Sequence, residues 1–129
     1  MLLWKKEEKS LGQIGEDAAA KYLKRKGYKI LERNFKNQVG RQVGEIDIVA
    51  KNGKEIVFVE VKTRVSEDDA LLPEENITPR KLKRIARAAN TYIKIKKLWD
   101  CPFHFDAISV LYDDENKKAQ VRHLENIFI

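Results

Sequence analysis

The chain has 129 residues, a formal net charge of +6, a pI near 9.4 and 43% hydrophobic residues, which predicts one folded domain spanning residues 1–129. It offers no apolar run of membrane-spanning length, no long apolar core of a signal peptide near Met1, and a single cysteine, Cys101, that cannot form an internal disulfide. A cytoplasmic protein with an anionic partner and no membrane association is the expectation, and the 36% charged residues also suit a thermophile.

In chain order, Ser10 and Gln13 form a capping box that opens a helix. Leu11, Ile14, Ala18 and Tyr22 are its expected buried stripe, and Gly27 its left-handed stop. Asp17, one turn before Lys21, reads as half of a solvated ion pair. Glu16 instead borders Ala19, Ala20 and Leu23. It is either a carboxylate favoured by the helix dipole or a member of a site on the buried side.

Two runs then dominate: Gly44-Glu45-Ile46-Asp47-Ile48-Val49 and Val57-Phe58-Val59-Glu60-Val61-Lys62, with Asn52-Gly53 between them. Asn-Gly is the strongest short hairpin signal. With those two residues as the loop, Lys51 pairs with Lys54, Glu45 faces Glu60 and Asp47 faces Phe58. Alternation then gathers Glu45, Asp47, Phe58, Glu60 and Lys62 on one face, and Ile46, Ile48, Val57, Val59 and Val61 on the other. Like charges opposed across a ladder are unfavourable unless a cation joins them. Carboxylates without thiol or imidazole make a hard oxygen site, suited to Mg²⁺ or Mn²⁺. Such an ion is the usual equipment of phosphodiester hydrolysis, and Lys62 on the same face can stabilise phosphate charge or orient the attacking water. A hairpin with a charged wet face is the plainer alternative.

Arg64 follows as a phosphate contact or a surface charge, and Ser66 to Glu75 reads as a mobile acidic loop beside the site. Thr78-Pro79 opens a second helix, with threonine as cap and proline in the first turn. Leu82, Ile85, Ala86, Ala89 and Ile93 form its core stripe. From Pro79 to Leu98 there is no acid but there are eight cations. Cations at a helix start oppose the macrodipole, so Arg80, Lys81, Lys83, Arg84 and Arg87 are assigned to nucleic-acid phosphates. Lys94 to Lys97 read as a solvated face. Phe103 to Tyr112 and Ala119 to Leu124 are two strands around a turn at Asp113 to Lys117. Asp106 reads as structural before anything else, and His104 and His123 as strand residues rather than ligands. Trp4 and Trp99 are core residues or stacking platforms for unpaired bases.

An acid on one strand followed by Glu60-Val61-Lys62 on the next resembles the signature of restriction-endonuclease-like nucleases, PD-(D/E)xK. More closely, the chain resembles the YraN-type family, related to Holliday-junction resolvases. The resemblance runs through Gly15-Glu16-Asp17-Ala18-Ala19 with Tyr22-Leu23, and Gly27-Tyr28 to Arg33-Asn34-Phe35. It continues through Gly44 to Asp47, Phe58 to Arg64, Phe105-Asp106, and His123-Leu124 with Asn126 and Phe128. Two features depart from it: Ile46 stands where the motif has proline, and the stretch Lys36 to Val43 is longer than the family's. The resemblance implies an α/β, restriction-endonuclease-like core in the order αβββαββ, with a mixed sheet flanked by helices. It implies Asp47, Glu60 and the Val61 main-chain carbonyl as Mg²⁺ or Mn²⁺ ligands, Lys62 in catalysis, and Glu16 and Glu45 as additional acids. The function expected is endonucleolytic cleavage of DNA, structure-specific rather than sequence-specific, in repair or recombination, with a homodimer as one option. The alternatives are a non-catalytic nucleic-acid-binding module of the same fold, and a small-anion or nucleotide-binding protein.

Overall fold

The computed structural model describes residues 8–37, 44–65 and 78–127. Its elements are helix α1 (Leu11–Arg25), strands β1 (Lys29–Asn37), β2 (Gly44–Asn52) and β3 (Glu55–Arg64), helix α2 (Pro79–Lys96), and strands β4 (Phe103–Asp113) and β5 (Lys118–Leu124). The order is αβββαββ. The strands form one mixed sheet, β1-β2-β3-β4-β5, in which only β3 and β4 run parallel. The α2 segment makes the crossover that a parallel pair requires. No helix among the described residues is long and apolar enough to cross a membrane.

Local chemistry sets the helix ends. Ser10 Oγ accepts the Gln13 N–H while Gln13 returns a bond to the Ser10 N–H. At the other end Gly27 takes φ +94°, and the Tyr28 and Gly27 N–H groups donate to Leu23 and Lys24 carbonyls. This is a Schellman stop, which needs a residue at ease with positive φ. Thr78 Oγ1 accepts the Lys81 N–H above Pro79 in the first turn of α2.

Each helix covers one face of the sheet. Ala19, Ala20 and Leu23 of α1 pack on Ile48, Ala50, Val57, Val59, Ile108 and Val110. Ile85, Ala88, Ala89, Tyr92 and Ile93 of α2 pack on Phe35, Ile46, Val49, Phe58 and Phe105. The buried stripe of α1 is centred one residue beyond the predicted one. Leu11, Ile14, Ala18 and Tyr22 are only half-buried, because Gly15 is the point of closest approach. A Cβ on Gly15 would lie 1.7 Å from Thr63 Oγ1 of β3. On the other face, a Cβ on Gly44 would lie 2.5 Å from the Arg84 carbonyl of α2. Two glycines thus let both helices press on the same end of the sheet.

The hairpin forms, in a different register. Asn52 pairs with Glu55, and the ladder runs to Ile48 opposite Val59. The loop is Gly53-Lys54, with Gly53 at φ +62° in its first position, the placement a type II′ turn requires. The shift corrects the predicted pairs Lys51–Lys54, Glu45–Glu60 and Asp47–Phe58. Strict alternation also fails at one point. Arg33 reaches Asp17 of α1, whereas Phe35 packs against Tyr92 of α2. Asn34 between them has φ +54°, a conformation asparagine tolerates better than most residues. Across the ladder β2 changes face at the same level, with Ile46 in the α2 core and Ile48 in the α1 core. Ile46 therefore does not share a face with Ile48, as simple alternation had it.

Candidate functional site

The strands part at that level. Pairing of β2 with β3 ends at Ile48–Val59, although both strands continue. One step further the register would set Asp47 against Glu60. There Asp47 Oδ2 accepts the Val61 N–H at 2.7 Å, so a side chain stands in for the next strand–strand bond. The fork opens at the end of the sheet where the N-terminal halves of both helices arrive, α1 through Gly15 and Glu16, α2 through Pro79 to Leu82.

Four ionisable groups meet in the fork. The carboxyls of Asp47 and Glu60 are within hydrogen-bonding reach of each other. Burial, and then the charge of Glu60, push Asp47 up to about 8, against the lowering effect of the Val61 N–H. Lys81 Nζ lies 3.0 Å from Glu60 Oε1, with Glu60 largely buried and Lys81 half-buried. Lys62 adjoins Lys81, and that neighbouring ammonium, followed by burial, holds Lys62 below the usual lysine range. Lys81 is pushed upward: its bonds to Lys62 and Glu60 outweigh burial, which alone would lower it. Glu16 lies at the margin on α1. Its buried Oε1 has no hydrogen-bond partner among the described residues, and burial raises its pKa, with Glu45, Asp17 and Glu60 adding to the rise.

Asp47, Glu60 and Lys62 are therefore brought together, with Glu16 beside them. Glu45 is not at the centre: it is exposed and aligned with Lys36 of β1 instead of facing Glu60. Asp17 pairs with Lys9 at 2.6 Å and Arg33 at 2.8 Å rather than with Lys21. Arg80, Lys83, Arg84 and Arg87 line a hollow of about 120 Å³ on α2, and Arg64 is half-buried at the end of β3. Lys81 lines a neighbouring hollow with Thr78, Arg80 and Arg84 and also reaches Glu60 in the fork. Its spacing on α2 gave no sign of this, since the contact depends on how α2 crosses β3. Trp99 is exposed rather than core. Trp4 and the loop from Ser66 to Glu75 lie outside the described residues.

A second polar cluster was missed because its members are far apart in sequence. Asp106 is fully buried. Its Oδ2 is 2.7 Å from His123 Nε2, and its Oδ1 accepts the Asn126 N–H at 2.8 Å and lies 3.3 Å from His104 Nε2. His123 Nδ1 meets the Tyr22 hydroxyl at 3.1 Å, and Tyr28 donates to Glu125 at 3.2 Å. Asp106, His123 and Glu125 place ligand atoms within 4.8 Å of one another, so this group could hold a metal ion. The Asp106 oxygens nevertheless already have protein partners, which fits the structural role predicted for this residue. The two histidines converge on one carboxylate although nineteen positions separate them in sequence.

Among known proteins, the chain is 42% identical over 122 residues to a UPF0102 protein of Geotalea uraniireducens (strain Rf4), covering 95% of this chain and 91% of that one. It is 43% identical over 120 residues to a UPF0102 protein of Syntrophomonas wolfei subsp. wolfei, covering 93% and 98%. A crystal structure of an FdxN element excision controlling factor protein from Anabaena variabilis matches with a TM-score of 0.42 and 13% identity, over 87% of this chain and 98% of that one. A likeness of that degree bears on neither fold nor function. Residues 15–110 match the model of the family described as uncharacterised protein family UPF0102. That match spans the strand fork, α2 and all but the first turn of α1, and the chain belongs to this family.

Proposed function

We propose that the protein is a Mg²⁺- or Mn²⁺-dependent endonuclease that hydrolyses phosphodiester bonds of DNA. The observation that carries this reading is the pair Asp47 and Glu60, crowded into hydrogen-bonding reach at a strand fork. Two carboxylates so placed do not both ionise cheaply, and the single contact from Lys81 to Glu60 leaves Asp47 without a cation of its own among the described residues. The buried, unpartnered Glu16 Oε1 fits the same conclusion. All three donors are oxygens, which suits a hard divalent ion.

Asp47 and Glu60 would hold the ion, with the Val61 carbonyl and Glu16 as further donors. When bound, the ion polarises the phosphoryl group and supplies hydroxide at neutral pH. The Val61 N–H fixes one Asp47 oxygen, so that carboxylate enters in a set orientation. Lys62 projects from β3 two residues past Glu60, where its amine can orient water or bond a phosphate oxygen. Arg80, Lys83, Arg84 and Arg87 would carry the sugar–phosphate backbone past the fork, a contact without sequence preference. Branched DNA of repair or recombination is the substrate class the family resemblance favours, in the cytoplasm, with a second copy supplying a symmetric cut.

Purified protein, Mg²⁺ or Mn²⁺, and branched, flapped, single-stranded and duplex DNA test the reading. Metal-dependent cleavage that Asp47→Asn and Lys62→Ala abolish is expected. DNA binding without cleavage under every metal would instead favour the non-catalytic module, for which the α2 hollow is the specific observation. Absence of salt-sensitive DNA binding would overturn both, leaving a small-anion or nucleotide ligand for that hollow.

A further inference from the structure

Lys81 borders the cationic surface of α2 beside Arg80 and Arg84, yet its ammonium is committed to a carboxylate. The first turn of α2 opposes a cation electrostatically, and neighbouring Arg80, Lys83, Arg84 and Arg87 turn to the outer hollow. Lys81 also places Nζ 3.0 Å from Glu60 Oε1, beside Lys62, whose pKa it lowers. Two lysines then face Glu60, Asp47 and Glu16. The chain thereby supplies its own counter-charge to Glu60. Lysine suits a replaceable partner, because its ammonium is a point charge on a flexible four-carbon stem without arginine's rigid fork.

We propose that Lys81 is the resident counter-ion of Glu60, competing with the divalent metal for that carboxylate and so setting the affinity of the site. This rests on the metal-site reading above and adds to it a residue that gates loading. A divalent ion must displace the Lys81 ammonium from Glu60 and then tolerate it as a near neighbour. Both effects weaken binding, and both vanish when the charge is removed.

The test is Mn²⁺ affinity, measured by titration calorimetry at pH 7.5 on the full chain, which needs no cleavage activity. Lys81→Met keeps the stem's bulk and removes the charge; Lys94→Met removes one charge from the exposed end of the same helix as a control. Circular dichroism checks that each variant is folded. Lys81→Met should bind Mn²⁺ about tenfold more tightly than the wild type, as expected for deleting a like charge at contact distance, while Lys94→Met stays within twofold. An unchanged or weaker affinity in Lys81→Met, or equal tightening in Lys94→Met, overturns the proposal and leaves the metal site standing. Mn²⁺ bound by neither the wild type nor Lys81→Met overturns the metal site and the proposal together.

Discussion

Asp47→Asn is the sharpest perturbation of the fork, because it mimics a protonated Asp47. The amide oxygen can still accept the Val61 N–H, and the NH₂ can donate to Glu60. Asp47 has its folded pKa raised from 3.8 to about 8 by burial and by Glu60. The folded state therefore holds a proton that the unfolded chain has lost. The stabilisation this gives is complete below the unfolded value, and it is lost as pH rises through the folded one. Integrated from pH 6 to 9, the metal-free wild type should lose about 2–3 kcal/mol, near 1.4 kcal/mol per pH unit until the proton leaves. In a chain of this length that is roughly 10 °C in Tm. Glu16 is also raised, by burial, and Lys62 is lowered, by Lys81. The difference between wild type and Asp47→Asn isolates Asp47. Thermal melts in EDTA at half-unit pH steps should show the wild type falling and the variant nearly flat. Millimolar Mn²⁺ at pH 9 should restore the wild type alone. Parallel pH profiles for the two proteins would refute the reasoning.

Other substitutions test the surroundings. Asp106→Ala leaves His123 Nε2 and the Asn126 N–H without their buried carboxylate and should cost about 3–5 kcal/mol in urea unfolding; a loss below about 1 kcal/mol would contradict the structural role. Gly44→Ala drives a methyl into the Arg84 carbonyl and should cost about 1–3 kcal/mol by overpacking, read from the same unfolding curves. Arg87→Ala, in the α2 hollow, should weaken DNA binding and reduce the slope of log affinity against log salt by about 1. An unchanged slope would remove α2 from the DNA path.

How much of this was legible in the sequence depends on the range of the interaction. The capping box at Ser10, the Gly27 stop and the Thr78-Pro79 start are read within four or five residues, and each formed as expected. The hairpin was legible as a hairpin, but not its register. Gly53 alone takes positive φ in a II′-type loop, which moves the pairing by two positions and keeps Asp47 and Glu60 on course to meet. Alternation could not foresee the change of face at Asn34 and Asp47, because a left-handed residue in one strand redirects its partner too. Lys81 and the Asp106–His123 pair escaped because their contacts arise only when α2 crosses β3 and when β5 folds back on β4. Glu60-Val61-Lys62 was legible as a candidate because three adjacent residues suffice to write it.

Two clusters compete for a divalent ion, the strand fork and the group of Asp106, His123 and Glu125. Crystals soaked in Mn²⁺ and measured for anomalous scattering discriminate them directly. The strand fork predicts a peak between the carboxylates of Asp47 and Glu60, absent in Asp47→Asn. A peak among Asp106, His123 and Glu125 with none in the fork would contradict it.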